Sequence, residues 1–232
     1  MSAMDESLLG KFNTTELDKI EKFFQALMGK NAKKTDFINR NFLKIKQISL
    51  EEILDEIKIN LGKKTKESTW QTFFEKNIFI FDSRYIDFIP KYNLKYGRTS
   101  EPDFLVYDIY GMIDVFEIKL PETKLLSYDK DHDNYFWSPD VSKAISQLEK
   151  YIFLAMENRL GIEKDIENTR RQKVSIIKPN GVLVIGTRKQ LDTDKEIEDF
   201  YILRSSLKNI EIVLYDEIYE SLKNLNKTDL SL

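Results

Sequence analysis

Cysteine is absent from these 232 residues, and histidine occurs once, at His132. The first absence removes disulfides, thiolate zinc sites and cysteine nucleophiles; the second removes a two-histidine ribonuclease, a histidine-rich metal centre and an HxExxH-type zinc site. Carboxylate and lysine chemistry is what remains. His132 itself lies in the polar stretch Asp129-Lys130-Asp131-His132-Asp133-Asn134 and reads as a solvated loop residue. No run approaches the roughly 20 apolar residues of a membrane span, and Met1-Ser2-Ala3-Met4-Asp5 lacks the basic start of a signal peptide. The expectation is a cytoplasmic protein without membrane contact. Internal repeats and low-complexity tracts are also missing. The formal charge of −3 offers no overall attraction to nucleic acid, so any such contact must come from local patches.

With 41% hydrophobic and 32% charged residues the chain reads as globular, one domain with an appendage. Residues 1–62 form the appendage, a small helical region. Within it, helical spacing runs from Thr14 or Thr15 to Gly29, from Thr35 to Lys46, and from Leu50 to Asn60 behind a Ser49 cap. Residues 63–232 form the main domain, with Lys63-Lys64-Thr65-Lys66 as linker. Its periodicities predict a helix over 67–76, strands over 86–96, 102–108 and 112–120, and a helix over 139–158. An exposed polar loop or helix tip follows over 163–173. Strands over 181–186 and 210–215 then alternate with helices over 195–207 and 215–225. The fold class is α/β.

Two of these strands carry the chemistry. Glu101-Pro102-Asp103-Phe104 opens one and Phe116-Glu117-Ile118-Lys119 closes the next, with Ile109-Tyr110-Gly111 between them as a hairpin turn. Folding the chain at that turn brings Asp103 opposite Phe116, Glu117 or Ile118. Side chains alternate along a strand, so Glu117 and Lys119 share a face while the Ile118 carbonyl stays at the strand's edge. Two acids, a carbonyl and an amine suit Mg²⁺, a hard cation held by one or two carboxylates together with water and phosphate. The ammonium would orient water or offset charge growing on a phosphate. Phosphodiester hydrolysis is the reaction class implied.

Glu-x-Lys alone is a weak signal, since it recurs at Glu56-Ile57-Lys58 and Glu122-Thr123-Lys124. The first of these falls in a helix and the second in a loop after Pro121; only Glu117 and Lys119 end an apolar strand. The plain alternative for Asp103, Glu117 and Lys119 is a cross-strand ion pair on a solvated face. For phosphate contact, the lysines and arginines near the hairpin rank first: Lys91, Lys95 and Arg98 before it, and Lys124 after it. On the long helix, Gln147 and Tyr151 are four residues apart and share a face, and both side chains can donate and accept hydrogen bonds.

Taken in order, Glu75 on a helix, Pro102-Asp103, Glu117-x-Lys119 and Gln147-x-x-x-Tyr151 resemble the PD-(D/E)xK nuclease superfamily, in its branch with a glutamine-tyrosine helix. Within it the chain resembles the Shedu anti-phage defence family. The match runs through Trp70…Phe74-Glu75-Lys76-Asn77, Glu101-Pro102-Asp103-Phe104, Phe116-Glu117-Ile118-Lys119-Leu120-Pro121 and the helical segment from Ser142 to Tyr151. It continues through the segment from Lys178 to Gly186 and Tyr215-Asp216-Glu217, so that it covers about Lys66 to Leu225. The resemblance implies an αβββαβ restriction-endonuclease-like core, a mixed sheet flanked by helices. It further implies a Mg²⁺- or Mn²⁺-dependent DNA endonuclease of bacterial immunity that assembles as a homo-oligomer, dimer or tetramer. Asp103, Glu117 and the Ile118 carbonyl would be metal ligands, Lys119 the catalytic lysine, Glu75 an auxiliary acid, and Gln147 and Tyr151 helpers. A non-cleaving DNA-binding or partner-binding module is the alternative, and a restriction-type enzyme differs from the first reading only in its choice of substrate.

Overall fold

The computed structural model describes residues 50–94 and 99–228. The expected helices before residue 50, the Ser49 cap, and Lys95 and Arg98 lie outside these residues. The chain divides into two compact units, Glu56–Leu225 and a smaller one formed by Met1–Asp55 with Asn226–Leu232. Of the smaller unit, residues 50–55 and 226–228 are described, and both stretches are helical.

In the larger unit, residues 56–61 are helical and close with the Gly62 N–H donating to the Lys58 carbonyl. After the irregular stretch 63–66 come α1 (Glu67–Lys76), β1 (Tyr85–Pro90), β2 (Phe104–Asp108) and β3 (Ile113–Ile118). The hairpin of β4 (Leu126–Asp129) and β5 (Asn134–Trp137) precedes α2 (Pro139–Glu157) and α3 (Arg159–Arg170). The chain ends as β6 (Gly181–Val184), α4 (Asp194–Ser206), β7 (Ile210–Val213) and α5 (Tyr215–Thr228). One five-stranded sheet runs in the order β1-β2-β3-β6-β7. β1, β2 and β3 are antiparallel neighbours, whereas β6 joins β3, and β7 joins β6, in parallel. It is a mixed sheet flanked by helices.

Each face of the sheet has its own filling. Leu105, Tyr107, Ile113, Val115, Leu183 and Ile212 join Val141, Ala144, Leu148 and Ile152 of α2 in one apolar core. On the opposite face Phe116 meets Phe81 and Tyr85 edge-on, and Phe81 passes the contact to Phe74 of α1. The period-2 pattern of β2 and β3 thus separates an aliphatic layer from an aromatic one. Helix α2 starts where Pro139 follows Ser138, whose Oγ accepts the Val141 N–H. Proline at the first helical position and a serine cap both favour that start.

Two expectations are corrected, the loop alternative for 163–173 and the length of the first strand, and one hairpin has no counterpart in the sequence reading. The stretch 163–173 is largely α3, because Ile162 and Ile166 lie one turn apart and are both buried. The hairpin β4–β5 went unforeseen, since Asp129 to Asn134 at its tip is polar and its strands are four residues each. The strand expected to reach Tyr96 ends at Pro90, and Lys91 follows with φ of 46°. His132 sits in the β4–β5 turn, exposed, within 2.9 Å of Asp129.

Gly111 turns the β2–β3 hairpin with φ of +79°, and a Cβ there would stand 2.8 Å from the Lys173 carbonyl oxygen. A side chain must pay for both the left-handed conformation and a rigid backbone neighbour. Gly111→Ala is therefore expected to cost about 2 kcal/mol, a melting temperature lower by ~4–8 °C. Gly62→Ala, whose Cβ meets nothing nearer than 3.4 Å, serves as the control and should change stability by less than ~0.5 kcal/mol. Equal shifts in the two variants would count against this account of the turn.

Candidate active site

The register Phe104↔Phe116 carries on by one step to set Asp103 across from Glu117. There β2 has ended, and Asp103 takes over its pairing: the Ile118 N–H donates to Asp103 Oδ2 at 2.8 Å. The N–H groups of Val115 and Lys119 point the other way, to Asn180 and Val184 on the β6 side. Since the N–H and C=O of one strand residue point to the same side, the Ile118 carbonyl faces the flank that Asp103 occupies.

Glu117 and Lys119 continue the Ile113–Val115 row, as Asp103 continues that of Leu105, so all three address the α2 face. Lys119 Nζ donates to Glu117 Oε1 at 2.6 Å. Glu117 is 3% exposed, and its other oxygen, Oε2, is buried without a hydrogen-bond partner. Helix α1 reaches the same place from the sheet's end, where Gln71 Nε2 donates to Asp103 Oδ1 at 2.5 Å. Helix α2 supplies Gln147 and Tyr151, which are bonded to each other: Gln147 Nε2 donates to the phenol oxygen at 2.7 Å. That leaves the Tyr151 proton free for a further acceptor. Tyr215, at the start of α5, donates to the Lys119 carbonyl at 2.6 Å. Its ring lies 4.4 Å from that of Trp70.

The electrostatics follow from an excess of acid in little water. Burial first, then the charge of Asp103, pushes Glu117 up to about 7, against the opposing pull of Lys119. Burial also raises Asp103, opposed by the Ile118 N–H and by Lys119. For Lys119 burial works downward, but its hydrogen bond to Glu117 and the charges of Glu117, Glu67 and Asp103 outweigh it, and the ammonium is stabilised. An acid that resists ionising beside a base that holds its proton is no contradiction. Three carboxylates face one ammonium, and that excess raises every group in the cluster. Tyr151 and Tyr215 are raised as well, chiefly by burial.

Asp103, Glu117, Ile118, Lys119, Gln147 and Tyr151 are thus brought together. The α1 carboxylate whose field reaches the trio is Glu67, while Glu75 stands two turns further along the helix, half-buried. Lys91 is exposed and its charge is felt at Asp103; Lys124 is exposed in the loop after Pro121. Glu67 and Gln71 escaped sequence reasoning although they sit four residues apart, on the same helix as the Trp70-Phe73-Phe74 stripe. The anchoring role of Tyr215 carried no local signal, because its partner is 96 residues away.

Among the described residues no three Asp, Glu, His or Cys side chains gather as a metal-binding group. Two carboxylates and a carbonyl do, and they fit a hard divalent cation. Oε2 of Glu117 is buried without a hydrogen-bond partner, and a cation would offset the repulsion between Glu117 and Asp103.

A family model described as "Shedu protein SduA, C-terminal" matches residues 64–219. The chain is also 25% identical over 213 residues to the Shedu protein SduA of Bacillus cereus (strain B4264), covering 85% of this chain and 55% of that protein. It therefore spans about half the length of this curated relative. The matched stretch holds β1 to β7, the acidic pair with its lysine, and the glutamine-tyrosine helix, and by that match the chain belongs to the Shedu SduA family.

Proposed function

We propose that this chain is a Mg²⁺- or Mn²⁺-dependent DNA endonuclease with a PD-(D/E)xK-type core, acting in anti-phage defence as a homo-oligomer. The observation that carries this reading is the buried Glu117 oxygen without a partner, set beside Asp103 and Lys119 at the end of a central strand. Asp103, Glu117 and the Ile118 carbonyl would hold the cation. When bound, it supplies Lewis acidity to the phosphodiester and lowers the pKa of a water ligand.

The chain's own groups do the rest. Lys119 keeps its proton, so it acts as a cationic hydrogen-bond donor to a non-bridging phosphate oxygen or to the attacking water, and not as a base. Gln71 and the Ile118 N–H fix the Asp103 carboxylate from both oxygens, which orients it before substrate arrives. Gln147 holds the phenol of Tyr151 and so aims the O–H at the phosphate. The P–O bond that breaks releases a 3′-hydroxyl. Lys91 and Lys124 are the described cations near the site that would meet flanking phosphates.

The test is incubation of the purified protein with plasmid and linear DNA, in Mg²⁺, in Mn²⁺ and in chelator, beside Asp103→Ala and Lys119→Ala. Metal-dependent cutting by the wild type, lost in both variants, is expected. Cutting no greater than that of the variants with either metal and either DNA would sink the proposal.

A second reading draws on the same bonds. Both oxygens of Asp103 and one of Glu117 already have partners inside the protein, as in a non-cleaving module that binds DNA or another protein. Calorimetry separates the two: a nuclease takes up Mn²⁺ at this site and loses it in Asp103→Ala, whereas the module shows no uptake that depends on these carboxylates.

A further inference from the structure

β3, β6 and β7 run parallel, so their carboxyl ends share one end of the sheet. In open α/β sheets that end is where ligands settle. A cavity of about 810 Å³ lies there, between the segment after β3 (Pro121, Glu122), the turn after β6 (Arg188, Lys189) and the first turns of α5 (Asp216, Tyr219), with Lys58 from the preceding helix. The volume falls within the ~300–1,000 Å³ of small-molecule sites. Its rim begins two residues past Lys119.

The lining carries three cations, Lys58, Arg188 and Lys189, and four acids, two of which are paired with cations outside it. Asp216 accepts the Arg188 backbone N–H, Glu217 pairs with Arg204, and Glu220 pairs with Lys223. The side chains of Lys58, Arg188 and Lys189 have no acidic partner among the described residues, and Glu122 and Asp216, neither of them in an ion pair there, stand against them. Three unpaired cations thus face two unpaired acids, the cations Arg188 and Lys189 are neighbours on one turn, and one wall carries Tyr219. Tyr219 lies one helical turn beyond Tyr215, whose hydroxyl holds the Lys119 carbonyl, so the wall and the catalytic strand share an anchor.

We infer that this cavity is a nucleotide pocket. It takes one nucleoside phosphate unit, with the base against Tyr219 and the phosphate on Arg188 and Lys189. Stacking on an aromatic ring and a phosphate between cations is how sequence-tolerant nucleic-acid sites are built. The unit is either a free nucleotide or part of a DNA strand; the strand-borne case rests on the nuclease reading above and would place the nucleotide beside the cleaved bond.

The full chain carrying Asp103→Ala, in chelator, is titrated with dAMP and separately with fluorescent ten-residue oligothymidine. This measures binding without cleavage, so a failed nuclease reading leaves the test intact. The expected result is binding of at least one probe, weakened about tenfold by Arg188→Ala with Lys189→Ala and by Tyr219→Leu, and kept by Tyr219→Phe. Preference for dAMP identifies a free nucleotide, and preference for the oligomer a strand. In the cleaving protein the same changes should raise KM for DNA about tenfold with kcat little altered. Binding of neither probe, or binding that all these variants leave unchanged while their circular dichroism matches the parent, overturns the inference. Tighter binding of a polyglutamate peptide than of either probe overturns it equally.

Discussion

Glu117→Gln is expected to make the metal-free protein more stable at pH 8 while abolishing its response to divalent cations. Burial and Asp103 set the folded pKa of Glu117 at about 7, against an ordinary 4.5. Between those values the folded protein keeps a proton that the unfolded chain releases. Stability therefore falls as pH rises through this window and levels off above it. A glutamine carries no charge to bury and can still accept the Lys119 hydrogen bond. The gain should be about 2 kcal/mol at pH 8, a rise in melting temperature of ~4–8 °C, and should vanish near pH 4. In the wild type, Mg²⁺ at tenfold its dissociation constant should restore about 1.4 kcal/mol by binding only the folded state. In the variant it should restore nothing. Thermal melts at pH 4, 6 and 8, with chelator and with Mg²⁺, check every part. A variant less stable than wild type at pH 8 in chelator would show that the pair of acids is not under strain.

Lys119→Ala should lower the single-turnover rate of DNA cleavage by ~10²–10⁴-fold. It removes the ammonium assigned to the phosphate in the proposed nuclease, and it also strips Glu117 of its hydrogen bond at Oε1, leaving both oxygens of a buried carboxyl unpartnered. Such a group is held more firmly in its protonated form, so residual activity should need a higher pH than the wild type does. Lys119→Arg keeps the charge with a different reach and should fall between the two. The check is rate against pH for the three proteins, with circular dichroism to confirm folding. Cleavage by Lys119→Ala within fivefold of wild type across the range would remove the lysine from the mechanism.

The legible parts of this molecule were those with short-range logic. Asp103 and Glu117 meet because one turn folds two apolar strands together, and Gly111 with its positive φ marks that turn. Gln147 and Tyr151 share a face because they are four residues apart on a capped helix. Parts that depend on distant pairing stayed hidden. The bond from Gln71 to Asp103 crosses 32 residues, and its existence depends on where α1 docks. The hairpin β4–β5 is hidden by its length, four residues a strand around a polar tip, and is secured from outside: Asp199 of α4 accepts the Tyr135 N–H. The buried side of α3 is two isoleucines in a mostly polar sequence, too thin a stripe to outweigh its polarity.

The order in which the chain leaves the ribosome gives the Tyr215 anchor a timing role. The acidic pair is separated by 14 residues and local hairpins close quickly, while pairings across long sequence distance come late. The Lys119 N–H is held by Val184, 65 residues on, and its carbonyl by Tyr215, 96 residues on. A nascent chain therefore carries Asp103, Glu117 and Lys119 before it can make these bonds. The cluster is completed only after the chain has been made as far as α5, and a chain stopped short of Tyr215 lacks this anchor.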